Sequence, residues 1–288
     1  MARETPWYRI VILAAATLVA TAALAQAQKF PTTPQAFARP AARTAALFKP
    51  EGAGPFPAVV LSHSCGGLSG NLYNWAERFT AAGYVALIID HLGPRGRKFN
   101  CPPYENNVSV TEFATDAFEA LKFLRGQSYV DPQRVVQVGF SYGAMAGLRI
   151  ASAKFARQHF GEGRHFAAVI ALYPACNSPG AEDYQRNFYD DISTPLLLLL
   201  GREDDETRPA SCVEQARKAA ERGQPVAWKL YENATHAFDA ANLAGEYVTF
   251  QRARYTYRGD AKISGQAWQD MKAFLDPHLV PPLAPVAK

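Results

Sequence analysis

The sequence predicts one large α/β domain in which a mainly parallel sheet is covered by helices on both faces. Two observations support this: strand-length runs that are apolar throughout, and intervening segments whose apolar residues recur at helical spacing. Strands that are apolar on both faces are typical of parallel sheets buried between two helical layers. The chain has 288 residues, 48% of them apolar, which is sufficient for a substantial core.

The predicted elements alternate along the chain. Short runs rich in apolar and β-branched residues predict strands at 58–62, 84–89, 134–138, 167–172, 195–200 and 226–231. Apolar residues three or four positions apart predict helices at 73–82, 113–124, 144–151, 209–222 and 264–275. Gly83 and Gly126 end the first two helices, because glycine is a poor helix former. A loop over 91–107, rich in glycine and proline, interrupts the alternation.

The first 27 residues have the composition of a secretory signal peptide. Arg3 and Arg9 precede an apolar run over 11–25, and Ala-x-Ala sequences follow at its end. This run is shorter than a comfortable membrane span, which needs about 20 residues, so we expect cleavage and an exported protein, periplasmic or secreted. An uncleaved N-terminal anchor is the alternative. The expected organisation is a leader over 1–27, an extended lead-in over 28–44, one α/β domain over 45–278 and a proline-rich tail over 279–288.

The charge of the chain argues against nucleic acid as a partner. The formal net charge is only +4, and no run of lysine and arginine is interleaved with aromatic residues. The sequence also contains no internal repeat and no second apolar stretch long enough to span a membrane. It does not indicate an oligomeric state.

The four cysteines are expected to form disulfides, because an even number occurs in a chain predicted to reach an oxidising compartment. They are Cys65, Cys101, Cys176 and Cys212. No C-x-x-C pair and no cysteine–histidine spacing of the zinc type is present, so no metal site is expected. Three pairings are possible. We predict Cys65–Cys101 and Cys176–Cys212, because the members of each pair follow strands whose carboxyl ends share one edge of the sheet.

The most specific chemical motif is Gly139-Phe140-Ser141-Tyr142-Gly143, which lies between a predicted strand and a predicted helix. In a nucleophile elbow, a sharp strand-to-helix turn exposes a serine hydroxyl, and small residues let the two elements approach closely. The N-terminus of the helix then lies below the hydroxyl, where its dipole stabilises negative charge on a substrate oxygen. Ser141 is therefore the predicted nucleophile.

A serine nucleophile needs a base and an acid, and in this architecture the chain order is Ser, acid, His. His236 lies after a predicted strand and beyond a plausible acid, which makes it the predicted base. The acidic turn Gly201-Arg202-Glu203-Asp204-Asp205-Glu206 follows the leucine-rich strand. Asp204 is the predicted acid, and Asp205 is the alternative.

The oxyanion of the reaction needs two backbone N–H donors. One is expected from Tyr142, the residue after the nucleophile. The other is expected from Cys65 in the loop His63-Ser64-Cys65-Gly66-Gly67, whose glycines permit a backbone with inward N–H groups. The Cys65 side chain is disfavoured as a nucleophile, because it has no elbow around it and is expected in a disulfide. His63 and His91 lie at strand ends and are expected to line the pocket.

These residues resemble the dienelactone hydrolase family of α/β-hydrolases, especially its exported branch. The resemblance covers about residues 56–275 and rests on the 63–67 loop, the elbow, Gly201-x-x-Asp204 and Tyr231-x-x-x-x-His236-Ala237-Phe238. It implies the α/β-hydrolase fold with a sheet of about eight strands, no metal or other cofactor, and hydrolysis of an ester or lactone through an acyl-enzyme.

The chain departs from the family pattern at two positions. Members that open dienelactones usually carry a cysteine nucleophile where this chain has Ser141, and a glutamate at the position that matches Ser64. Both differences favour an ordinary serine esterase. Arg95 matches a family arginine that binds the substrate carboxylate, although a surface arginine fits the same loop equally well. The alternative functions are a prolyl-oligopeptidase-like peptidase, for which no extra gating domain is evident, and a non-catalytic binding protein with the hydrolase fold.

Overall fold

The computed structural model describes residues 43–101, 107–162, 165–176, 190–242, 244–248 and 254–279. The predicted leader and nearly all of the predicted lead-in and proline-rich tail lie outside these ranges. None of the helices within them is long and apolar enough to cross a membrane.

A seven-stranded sheet forms the centre of the described residues, in the order β1-β3-β2-β4-β5-β6-β7. Its strands are β1 (Arg43–Phe48), β2 (Phe56–Ser62), β3 (Val85–Asp90), β4 (Val130–Phe140), β5 (Val169–Leu172), β6 (Leu196–Gly201) and β7 (Val226–Tyr231). β1 pairs antiparallel with β3, and the other five neighbouring pairs are parallel. The predicted α/β fold is confirmed, with seven strands in the described part of the sheet against the about eight that the resemblance implies.

Helices cover both faces of the sheet. They are α1 (Gly70–Ala81), α2 (Val110–Arg125), α3 (Tyr142–Ile150), α4 (Ala153–Phe160), α5 (Ala210–Glu221) and α6 (Ala261–Leu279). Successive side chains of β2 point to opposite faces, so Val59 and Leu61 pack with α1 and α6, whereas Ala58 and Val60 pack with α2, α3 and α5. All four side chains are fully buried, which explains why this strand is apolar at every central position.

Three features of the structure differ from the sequence-based assignment. They are strand β1, helix α4, and an antiparallel hairpin of β8 (Ala244–Val248) and β9 (Arg254–Arg258). Helix α4 buries only Phe155 and Ala156, so its apolar periodicity is too short to recognise. Strand β9 reads Arg-Tyr-Thr-Tyr-Arg and contains no apolar run. Strand β1 begins two residues before the predicted domain, within the expected lead-in.

Both predicted disulfides are formed, and both lie at the edge of the sheet where the parallel strands end. Cys65–Cys101 joins the loops that follow β2 and β3, with a Cα–Cα separation of 4.7 Å. Cys176–Cys212 joins the loop after β5 to helix α5, with a Cα–Cα separation of 5.1 Å. The predicted pairing is thus confirmed. In parallel α/β sheets this edge is where ligands bind.

Candidate active site

Ser141 lies in a sharp turn between β4 and α3. Its backbone has φ +50° and ψ −109°, a strained conformation that costs a non-glycine residue roughly 1–3 kcal/mol. The two glycines of the motif permit close packing. A Cβ on Gly139 would lie 2.2 Å from the Gly143 carbonyl oxygen, and a Cβ on Gly143 would lie 2.2 Å from the Ser62 carbonyl oxygen. The elbow therefore packs against the end of β2 and holds Ser141 at the carboxyl edge of the sheet.

Ser141, His236 and Asp204 form a hydrogen-bonded chain, although they are far apart in sequence. His236 Nε2 lies 3.1 Å from Ser141 Oγ, and His236 Nδ1 lies 2.8 Å from Asp204 Oδ2. The three residues are between 4% and 8% exposed. Asp205 is directed elsewhere, since its carboxylate accepts a hydrogen bond from the Thr256 backbone N–H on β9 at 3.2 Å. The structure thus brings together the predicted nucleophile, base and preferred acid, but not the alternative acid.

The Asp204 carboxylate is held in place by the turn that follows it. Its Oδ1 accepts hydrogen bonds from the backbone N–H groups of Glu206 at 3.0 Å and Thr207 at 2.8 Å. Its Oδ2 accepts a further bond from Thr207 Oγ1 at 2.6 Å. Burial opposes the charge of Asp204, but His236 and Thr207 outweigh it and hold the pKa of this carboxyl below its usual value. Asp204 therefore stays ionised and can stabilise a positively charged imidazole.

A second carboxylate lies beside the catalytic nitrogen of His236. Glu206 Oε2 is 3.7 Å from His236 Nε2, and the Tyr257 hydroxyl on β9 donates a hydrogen bond to the same Glu206 oxygen. Burial lowers the pKa of His236, but the charges of Asp204, Glu206 and Asp239 outweigh it and raise that pKa above its usual value. Sequence analysis missed Glu206 and Tyr257. The acidic turn was recognised in the sequence, but the contact between Glu206 and Tyr257, 51 positions apart, leaves no sequence pattern.

A third carboxylate near His236, that of Asp239, is buried and accepts several hydrogen bonds. Asp239 accepts hydrogen bonds from Tyr173 Oη at 2.6 Å, Trp75 Nε1 at 2.7 Å and Asn71 Nδ2 at 3.0 Å. The Tyr173 ring packs edge-on against His236, with 4.7 Å between ring centroids. Asp239 thus holds the Tyr173 ring that packs against the imidazole. The only sequence signal for Asp239 was its position three residues after the predicted base.

The loop that carries Cys65 lies against the first turn of α3, which begins with Tyr142. A Cβ on Gly143 would lie 2.6 Å from the His63 carbonyl oxygen, so loop and helix are in direct backbone contact. Among the described residues, the N–H groups of Cys65 and Tyr142 donate to no other protein group. Two unused donors near a nucleophile can stabilise an oxyanion. The arrangement is consistent with the predicted oxyanion hole.

The substrate-binding roles expected for His63 and Arg95 are not supported by their surroundings. His63 is fully buried, and both ring nitrogens are hydrogen-bonded within the protein, to the Ser64 carbonyl oxygen and the His91 N–H. The Arg95 guanidinium forms a bidentate ion pair with Asp116, with Nη1 and Nη2 at 2.8 and 2.9 Å from its two oxygens. Neither side chain therefore has its main polar groups available to a substrate carboxylate.

The chain is similar to known proteins over most of its length. A sequence model of the dienelactone hydrolase family matches residues 44–279. A provisionally named carboxymethylenebutenolidase of Synechocystis sp. is 24% identical over 249 residues, which cover 81% of this chain and 91% of that protein. The structure of Thermogutta terrifontis esterase 2 phosphorylated by paraoxon has a TM-score of 0.65 at 20% identity, covering 90% of this chain and 96% of the other. A provisionally named dienelactone hydrolase of Klebsiella pneumoniae has a TM-score of 0.65 at 18% identity, covering 88% and 99%. These structural similarities show a shared fold.

Proposed function

The chain belongs to the dienelactone hydrolase family and is a hydrolase of ester bonds, and we propose that it is an exported serine esterase or lactonase acting through Ser141, His236 and Asp204. One observation carries the proposal: the continuous hydrogen-bonded chain from the Ser141 hydroxyl through the His236 imidazole to the Asp204 carboxylate. Nucleophile, base and orienting acid in this geometry are the requirement for acyl transfer through a serine.

In the proposed mechanism, Ser141 Oγ attacks the acyl carbonyl while His236 Nε2 accepts the hydroxyl proton. Asp204 keeps the proton of the neutral imidazole on Nδ1 and stabilises the imidazolium. The N–H groups of Cys65 and Tyr142 stabilise the oxyanion, and each such donor contributes about 3–4 kcal/mol to lowering the barrier. His236 then protonates the leaving alcohol, and a water molecule releases the acyl group by the same route.

We propose a neutral ester or lactone as substrate. Arg95 is engaged by Asp116, so this side chain does not supply the cation that a carboxylate-bearing substrate needs. Glu206 faces the nitrogen that protonates the leaving group, and its charge opposes an anionic substrate there. The fold relative from Thermogutta terrifontis is an esterase, and one of its structures has butyrate bound. A short acyl group is therefore the first choice for testing.

Export is the second part of the proposal. Two disulfides within the described residues fit an oxidising compartment, as does the leader-like composition of residues 1–27. Comparing the N-terminal sequence of protein from the periplasm or medium with that of protein from the cytoplasm tests this part. A mature N-terminus near residue 28 in the exported fraction is expected, and intact Met1 in exported protein would contradict cleavage.

The hydrolase proposal is tested by steady-state kinetics on p-nitrophenyl butyrate and a neutral lactone. Ser141→Ala and His236→Ala should each reduce kcat by about 10³-fold or more, because members of a triad act as a unit. Ester hydrolysis by Ser141→Ala within a few-fold of the parent would disprove the assignment. Peptide cleavage in place of ester cleavage would favour the peptidase alternative, and absence of both would favour a binding protein.

A further inference from the structure

A buried polar network beneath the loop after β2 takes no part in the proposed mechanism. It comprises His63 at the end of β2, His91 after β3, Arg95 in the next turn, and Asp116 on α2. The side chains of the last three are 0%, 6% and 2% exposed, and His63 is also fully buried. Buried ion pairs contribute little net stability, because desolvation offsets their attraction. Stability alone is therefore a weak reason for placing two histidines and an ion pair here.

The hydrogen bonds of His63 determine where its proton lies. Its Nε2 is 3.1 Å from the His91 backbone nitrogen, and a backbone N–H can only donate, so Nε2 is unprotonated. The proton of the neutral ring is therefore on Nδ1, from which it is donated to the Ser64 carbonyl oxygen at 2.6 Å. Burial, with a smaller contribution from His91, lowers the pKa of His63 to about 3. The ring is thus neutral, with this donor in place, at ordinary pH.

The carbonyl that His63 contacts belongs to the same peptide unit as the Cys65 N–H. In a planar trans peptide the C=O and the following N–H point in opposite directions. A donor that fixes the Ser64 carbonyl on one side therefore aims the Cys65 N–H to the other side. The Gly67 N–H donates to the same carbonyl oxygen at 3.1 Å and closes the turn, so the peptide is held by two donors.

His63 is itself held by the rest of the network. The His91 backbone N–H bonds to its Nε2, while the His91 ring donates from Nδ1 to Asp116 Oδ2 at 2.8 Å. Arg95 then spans both partners, donating to Asp116 and, at 2.7 Å, to the His91 carbonyl oxygen. The Phe113 ring stacks on His91 with 3.9 Å between centroids and also contacts Tyr142. The network thus connects α2, the end of β3 and the loop after β2.

We propose that His63 is a positioning residue of the oxyanion hole, with His91, Asp116 and Arg95 as its support. Its Nδ1–H holds the Ser64–Cys65 peptide in the orientation that presents the Cys65 N–H to the substrate oxygen. The inference rests on the proposed function, because it takes Cys65 as an oxyanion donor. It replaces the sequence-based interpretation of His63 and Arg95 as residues that contact the substrate.

Two substitutions at one position separate this role from a structural one. Asn places its amide nitrogen near the Nδ1 position of histidine, so His63→Asn can keep the bond to the Ser64 carbonyl while losing the bond from His91. Gln places its amide near the Nε2 position, so His63→Gln can keep the bond from His91 while losing the bond to Ser64. Each variant loses one hydrogen bond of the same network, so comparable losses of stability are expected.

The assay measures kcat and KM on p-nitrophenyl butyrate, together with the inhibition constant of a short alkyl trifluoromethyl ketone. Ser141 Oγ adds reversibly to this ketone, the proton passes to His236, and the resulting hemiketal oxygen takes the place of the oxyanion. Loss of a full oxyanion donor lowers kcat by about 10²–10³-fold, so a misoriented donor should lower it by about 10–100-fold. We expect that decrease of kcat in His63→Gln, with KM within about threefold of the parent value. The inhibition constant of the ketone should rise by a similar factor. His63→Asn should recover at least about 10-fold of the lost rate.

Other outcomes overturn the proposal. Equal decreases of kcat in both variants would show that the network only supports the fold. A rise of KM with unchanged kcat would indicate that His63 contributes to substrate binding instead. If His63→Gln does not fold, Asp116→Asn is the second variant, in which kcat and ketone affinity should fall together; no change in either contradicts the proposal. Failure of the proposed function is separately visible, because Ser141→Ala would then retain the activity whatever happens at His63.

Discussion

Removing one disulfide or the other makes a matched comparison, because it separates an effect on kcat from an effect on the free energy of unfolding. Each closes a loop of the same length, since the bonded cysteines are 36 positions apart in both cases. Only Cys65–Cys101 tethers the loop with the expected oxyanion donor, and the Asn100 N–H reinforces it by bonding to the Cys65 carbonyl oxygen at 2.7 Å. The double variants are Cys65→Ala/Cys101→Ala and Cys176→Ala/Cys212→Ala.

The equal loop lengths give both variants the same expected loss of stability. In the loop-entropy model, a separation of 36 residues corresponds to about 4 kcal/mol at 25 °C. For a domain of this size, that loss lowers Tm by roughly 8–16 °C. The catalytic effects should differ. Removing the Cys65–Cys101 bridge should lower kcat by about 10-fold or more; complete loss of one oxyanion donor lowers kcat by about 10²–10³-fold. Removing the Cys176–Cys212 bridge should change kcat by less than about threefold.

The assay is steady-state hydrolysis of p-nitrophenyl butyrate at a temperature at least 15 °C below both melting points, with folding checked by circular dichroism. Reduction of the parent with dithiothreitol at the same temperature is a second route to the comparison and should lower kcat before unfolding begins. Equal kcat in the two double variants, with both folded, would refute the idea that the 65–101 bridge positions the oxyanion loop.

Three further predictions follow from the geometry around the triad. Nearby carboxylates outweigh the effect of burial and raise the pKa of His236 above its usual value. Lowering the pH through this raised pKa protonates the base, so kcat/KM should fall. Glu206→Gln removes one of these charges and should move the acid limb of the pH profile to lower pH; a shift to higher pH contradicts this. Asp204→Asn should reduce kcat by about 10³-fold or more, and Asp205→Asn by less than about fivefold, so the reverse ranking would move the acid. Gly143→Ala should abolish folding or activity, measured by thermal melting and turnover, because its Cβ would lie 2.2 Å from a carbonyl oxygen of β2; near-normal behaviour of both would contradict the close packing of the elbow.

The parts of the site that sequence analysis predicted are those with a steric or burial signature. A Cβ at either elbow glycine would lie 2.2 Å from a backbone carbonyl oxygen, so only glycine fits at these positions. Gly201 has a similar reason, since a Cβ there would lie 2.5 Å from the Ala234 carbonyl oxygen in the loop before His236. That contact brings the acid-bearing turn and the histidine loop together, so the spacing from Gly201 to Asp204 was informative.

The parts that sequence analysis missed depend on pairing between distant polar residues. Arg95 was expected to bind substrate from its match to a family arginine, with a surface arginine as the alternative. Its ion pair with Asp116 on the next helix leaves no sign in the sequence. Tyr257 and Asp239 were not recognised as site residues because neither lies next to a segment with regularly spaced apolar residues. Similarly, the β8–β9 hairpin lacks the continuous apolar runs that made the central strands recognisable. The apolar run of β1 is only four residues long, at 45–48, and adjoins the segment interpreted as a lead-in. Polar networks and edge elements are determined by tertiary contacts and leave little local pattern.

Covalent labelling tests most directly whether Ser141 is an activated nucleophile. Protein is incubated with paraoxon or a fluorophosphonate, and intact mass and peptide mapping identify the modified residue; a structural relative is an esterase that paraoxon phosphorylates. One adduct per chain is expected, located on Ser141, absent in Ser141→Ala, and formed much more slowly in His236→Ala. An adduct of the same stoichiometry on Ser141→Ala, or no labelling of folded parent protein, would contradict this expectation.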